Sequence, residues 1–74
     1  MSNLAELRVG TPAKVLRING TDDISQRLLE MGLTPGTLVC VLGAAPLGDP
    51  LELELRGYRL SVRKSEAARV EIEQ

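Results

Sequence analysis

With 74 residues, nine basic against ten acidic side chains and a formal net charge of −1, the chain has room for one core and lacks the concentrated positive surface that DNA or RNA binding demands. The absence of histidine and the single cysteine, Cys40, exclude an internal disulfide and the four-ligand Cys/His zinc sites. No stretch approaches the ~18 apolar residues of a membrane span, and the opening MSNLAELRV lacks the basic-then-apolar order of a secretory leader, so a cytoplasmic protein with no direct membrane insertion is expected.

In chain order, Leu4 and Leu7 at helical spacing, with Asn3 as a cap and Gly10 as a stop, predict a short helical turn. After Thr11-Pro12, the β-branched segment Ala13–Ile18 reads as a strand ending at Asn19-Gly20. Residues 22–31 read as the one substantial helix. Ile24, Leu28 and Met31 share a face, Thr21 or Asp22 can cap its start, and Gly32 can take the left-handed conformation at its end. Thr34-Pro35-Gly36-Thr37 fits a type II turn, because Pro35 presets φ and Gly36 supplies a positive one.

A strand is expected over residues 38–42, with Leu38, Cys40 and Leu42 on one face and Val39 and Val41 on the other, both faces buried. Two prolines and Gly48 mark residues 44–50 as a loop. Beyond it Leu51, Leu53 and Leu55 alternate with Glu52, Glu54 and Arg56, and after Gly57 the residues Tyr58, Leu60 and Val62 alternate with Arg59, Ser61 and Arg63. This predicts a hairpin with Leu55 opposite Tyr58, Leu53 opposite Leu60 and Leu51 opposite Val62. The turn is Arg56-Gly57, or a bulged alternative, since arginine is a poor occupant of a positive-φ position. Residues 65–68 read as a helical turn capped by Ser65, and Val70 and Ile72 as a closing strand. The expected fold is one domain over residues 1–74, mainly β. It is a small SH3-like barrel of about five strands with one α-helix and short helical turns near the N-terminus and before the last strand, the closed sheet removing exposed edges.

Several fixed residues then stand in a recognisable order: Leu4-x-x-Leu7-x-x-Gly10, Arg27-Leu28, Met31-Gly32-Leu33-x-Pro35-Gly36, Pro46-x-Gly48-Asp49-Pro50, and Gly57 through Arg63 to Glu66-Ala67. Over residues 4–72 this order resembles the FeoA family, small cytosolic accessory proteins of bacterial ferrous-iron uptake. The resemblance implies an SH3-like fold and an action on FeoB, a membrane transporter with a cytosolic G domain. It also implies a general association with transition metals. With no helix-turn-helix ahead of the barrel, the chain resembles the stand-alone form.

The residues themselves offer little chemistry. A chain without histidine, and with no Gly-rich stretch running into Lys-Ser or Lys-Thr, builds neither a nucleophile–base pair nor a phosphate cradle, so no enzyme is expected. Tyr58 is the only aromatic residue, and one ring does not make the aromatic groove with which SH3 domains hold Pro-rich peptides. Cys40, between Val39 and Val41, is expected to be an inert core residue. No cofactor is required. Asp22, Asp23, Asp49, Glu52 and Glu54 are solvated carboxylates or weak ligands for Fe2+ or a surrogate Zn2+, with Asp49 and Glu52 the candidate metal residues, alone or across a homodimer contact. Docking is the remaining reading. The loop residues Pro46, Leu47 and Asp49 suit it, because prolines lower the ordering cost on binding. Arg56, Arg59 and Arg63 on the hairpin's outer face either meet an acidic partner or form a solvated face interleaved with Glu52 and Glu54, and Arg27 on the helix either docks or braces the barrel.

Overall fold

The leucines that alternate with glutamates in the second half of the chain become the middle of the structure. In the computed structural model, which describes residues 2–74, the strand order is β1-β6-β2-β3-β4-β5 in a six-stranded antiparallel sheet. The strands are β1 (Ser2–Asn3), β2 (Ala13–Ile18), β3 (Leu38–Ala44), β4 (Leu51–Leu55), β5 (Tyr58–Val62) and β6 (Val70–Glu73). A 3-10 turn, Leu4–Glu6, follows β1, and the helices are α1 (Asp23–Glu30) and α2 (Lys64–Ala67). Inward residues of every layer meet in one core that includes Leu4, Val15, Leu28, Leu33, Val39, Leu53, Leu55, Val62 and Val70, each at most 2% exposed.

The hairpin follows the sequence pattern residue for residue. Leu51 pairs with Val62, Leu53 with Leu60, Glu54 with Arg59 and Leu55 with Tyr58. Arg56 and Gly57 both adopt positive φ, +51° and +82°, which matches the right-handed twist of the strands they join. The bulged alternative is therefore not used. On β5 burial fades toward the turn, with Val62 2% exposed and Tyr58 44%, whereas Leu55 on β4 stays buried at 2%. The Tyr58 hydroxyl finds its partner on the helix, donating to the Met31 carbonyl.

α1 is also as expected, with Asp22 as its cap accepting the Ser25 N–H at 3.2 Å. At the far end Gly32 takes φ +108°. Leu33 N–H donates to the Leu28 carbonyl at 3.2 Å and Gly32 N–H to Leu29 at 3.0 Å, the paired bonds of a Schellman cap. The turn at residues 34–37 closes through Thr37 N–H to Thr34 O at 3.0 Å, with Gly36 at φ +92°.

Four expectations need correction. The strands number six rather than about five, because β1 is two residues long and leaves no periodicity to read. The sheet does not close: β1 and β5 end it, and no ladder joins them, so open edges remain. The helical turn α2 starts at Lys64, with Arg63 rather than Ser65 at its cap; in place of a capping hydroxyl, the Glu66 carboxylate reaches back to accept the N–H of Arg63 itself at 3.0 Å. Finally, β3 is buried on one face only. Val39 and Val41 are inside at 1% and 2% exposure, whereas Leu38 and Leu42 are 63% and 36% exposed. Cys40 is correspondingly half-buried on that outer face rather than in the core.

Candidate functional site

The 45–50 loop is a built structure rather than slack. Gly48 N–H donates to the Ala45 carbonyl at 2.7 Å, and Ala45 N–H to Pro50 O at 3.0 Å. The Asp49–Pro50 peptide is cis. These bonds leave Leu47 at the tip, 97% exposed. Because the loop joins β3 to β4, its end lies beside the close of β5, and Asp49 Oδ1 accepts the Lys64 N–H at 2.9 Å. That bond anchors the loop to the start of α2.

Across from the loop, Arg27 of α1 forms an ion pair with Glu66 of α2. The two residues are 39 positions apart in sequence, so the pair ties the two helices together. Between these anchors runs an open groove of about 530 Å³. Leu47, Asp49 and Pro50 form one wall, and Arg27, Ser61, Arg63 and Glu66 complete it. Its electrostatics are uneven. Glu66 is engaged by Arg27 and by the Arg63 amide, and Asp49 by the Lys64 amide. The Arg63 guanidinium forms no ion pair among the described residues.

The groove collects Arg27, Leu47 and Asp49, with Pro46 next to it at the loop tip. It leaves out Arg56, which reaches back to Thr34 Oγ1 at 3.3 Å and Thr37 Oγ1 at 3.1 Å and so braces the hairpin turn against the 34–37 turn. Arg59 lies outward at mid-strand, opposite Glu54. Glu52 is bonded by the Ser61 hydroxyl. Among the described residues no group of three or more Cys, Asp or Glu is placed to hold a metal ion. Ser61 and Glu66 were not among the expected site residues. Ser61 carried a signal, since it alternates with Arg59 and Arg63, whereas Glu66 becomes visible only once α2 is folded.

Two acidic groups are shifted downward, and both lie outside the groove lining. The Arg69 guanidinium, 2.6 Å away, and the Ser25 amide lower Asp22 to about 2. Arg17, at 3.1 Å, and Asn19 lower Glu71. Arg69 also donates to Ser25 Oγ at 3.2 Å, and Ser25 Oγ donates to Asn19 O at 2.8 Å. This network joins the end of β2, the start of α1 and the residue before β6, so its work is to hold the scaffold.

Residues 2–74 match the model of the FeoA domain. The chain belongs to the FeoA domain family. A Porphyromonas gingivalis protein described as a fusion of Fe(2+) transport protein A and the Fe(2+) transporter FeoB is 37% identical over 70 residues; these cover 95% of this chain and 8% of that protein. The chain thus spans a small fraction of that relative's length. Among solved structures, a FeoA-like protein from Clostridium acetobutylicum superposes with a TM-score of 0.90 at 39% identity, covering 97% of this chain and 84% of that one. Stenotrophomonas maltophilia FeoA, crystallised with zinc and described as a prokaryotic SH3 domain protein, gives 0.86 at 32% identity, covering 99% and 91%. The FeoA fold is accordingly SH3-like, mainly β, and here open at its edges. The family is linked to ferrous-iron transport. No helix of the described residues is long and apolar enough to cross a membrane.

Proposed function

We propose that the chain is a non-enzymatic accessory of ferrous-iron uptake that works in the cytoplasm, docking on the cytosolic part of an FeoB transporter and modulating its activity. The observation that carries this reading is Leu47, a leucine left 97% exposed at the tip of a hydrogen-bonded loop beside the groove. A rigid apolar tip loses little conformational freedom on binding and gains from burial. The fused relative supports the choice of partner, because joining two modules in one chain raises the effective concentration at which they meet.

Titration of detergent-solubilised FeoB with the chain tests the proposal. Wild-type protein is expected to bind, and Leu47→Asp to bind about tenfold more weakly or worse with its fold intact. No binding by wild-type protein, with or without guanine nucleotide, would refute it.

The zinc complex of the Stenotrophomonas maltophilia protein favours a second reading, a metal-responsive sensor or carrier. In this chain Asp49 and Glu52 would supply ligands for Fe2+ or Zn2+, completed by a second copy. Calorimetry on chelator-treated protein separates the two readings: stoichiometric micromolar binding lost in Glu52→Gln supports the second, and heats of dilution alone remove it.

A further inference from the structure

The sheet ends at β5, which pairs with β4 alone. In a hairpin with a two-residue turn, the flanking pair exchanges both backbone hydrogen bonds, and the pairs beyond alternate between bonded and unbonded. Here Leu55/Tyr58, Leu53/Leu60 and Leu51/Val62 are bonded pairs, so Arg59 and Ser61 turn their N–H and C=O groups away from β4. No other hydrogen bond among the described residues reaches them. Charged side chains, proline, a bulge or a covering element commonly blunt such an edge; β5 contains no proline, keeps one regular register with β4, and carries Arg59 as its one charge. Among the described residues the opposite end of the sheet, β1, spans only Ser2–Asn3 and offers no comparable template.

The open edge also leads somewhere. Ser61 and Arg63 continue directly into the groove, with Arg27 facing them and Leu47 at the mouth. We infer that this edge accepts an added β-strand, an extended segment of the docking partner that places an acidic residue against Arg59 or Arg63 and an aliphatic one against Leu47. The inference rests on the docking reading and specifies its mode: backbone bonds supply affinity and alternate side chains supply selectivity.

Charge favours this occupant over a second copy of the chain paired about Ser61. Antiparallel self-pairing centred on Ser61 would set Arg59 of each copy opposite Arg63 of the other, and directly opposed like charges destabilise a strand pair. Among the described residues neither arginine is neutralised by an ion pair. The two carboxylates lining the groove, Asp49 and Glu66, are already engaged. An incoming carboxylate is the complement this edge lacks.

Ser61→Pro removes the outward N–H, together with the hydroxyl's bond to Glu52, and leaves the backbone ladder to β4 in place, since proline is tolerated at a solvent-facing edge position. With detergent-solubilised FeoB as the probe, the variant is expected to bind about tenfold more weakly than wild type. In the wild-type complex, amide hydrogen exchange should slow at Arg59 and Ser61, a measurement that stands even if the variant folds poorly. Undiminished binding by folded Ser61→Pro, or unprotected Arg59 and Ser61 amides in a complex that Leu47→Asp still weakens, would overturn strand addition and leave docking intact. No binding by wild-type chain would overturn both. Protection that rises with the chain's own concentration, without FeoB, would assign the edge to a second copy and overturn the acidic segment.

Discussion

Leu53→Ala is expected to destabilise the fold by about 3 kcal/mol and to lower Tm by roughly 12–24 °C, while Leu47→Asp shifts it by no more than a few degrees. The two leucines lie six positions apart in sequence and at opposite extremes of burial, 0% and 97% exposed. Leu53 sits at the middle of β4, flanked by Val41 on β3 and Leu60 on β5, so truncation leaves a void with strands on both sides that can collapse only by breaking register. Leu47 has no packing to lose. A core in a chain this size rarely provides more than ~3–5 kcal/mol, so the Leu53 variant should populate the unfolded state measurably at physiological temperature. Thermal and urea melts followed by circular dichroism read both effects. If Leu53→Ala melts with wild type, β4 is not the centre of the core. If Leu47→Asp melts early, its loss of FeoB binding is a folding effect rather than a docking one.

What the sequence made legible follows the range of the interactions. The faces of β4 and β5 could be read because strict alternation fixes them, while the register stayed open between a two-residue and a bulged turn until the structure showed the former. The bounds of α1 could be read because its start and stop signals, Asp22 and Gly32, act within one turn. The outer face of β3 misled for a definite reason. An unbroken apolar run over residues 38–42 looks the same whether both faces are covered or one is left bare, and only tertiary packing shows Leu38 and Cys40 on the open side. The open sheet was equally out of reach, since closure depends on whether β1 and β5 meet and neither strand's pattern records that.

The candidate site divides the same way. Leu47 could be singled out in advance because two prolines and a glycine keep its loop out of the sheet. The groove beside it could not, because its walls come from α1, β5 and α2, and the Arg27–Glu66 pair spans 39 residues. Arg56 shows the limit of reading charge from a face: it shares the outer side with Arg59, yet it is spent on Thr34 and Thr37.

Gly32→Ala carries the other large expected effect, a loss of roughly 2–3 kcal/mol. Two costs combine at this position. The backbone holds φ +108°, which a residue with a Cβ adopts only under strain, and a Cβ built there would collide with Tyr58 Oη and lie 3.3 Å from Leu55 Cδ1. Gly36 separates the terms, because its φ is +92° and nothing lies within 4 Å of its Cβ position. Gly36→Ala should therefore report backbone strain alone, about 1 kcal/mol, and the excess at Gly32 reports the collision. Tyr58→Phe by itself forfeits the hydroxyl's bond to the Met31 carbonyl, about 1 kcal/mol. Combined with Gly32→Ala it also removes the colliding oxygen, so the double variant should be more stable than the sum of the singles predicts. Strict additivity in urea melts would show that the Schellman end of α1 shifts to avoid Tyr58, and that the hydroxyl does not fix the distance between α1 and the β4–β5 hairpin. That distance matters for docking, since the same helix presents Arg27 and the same hairpin presents Ser61 and Arg63. A Gly32→Ala chain that remains folded should therefore bind FeoB more weakly even though the substituted residue lies outside the groove.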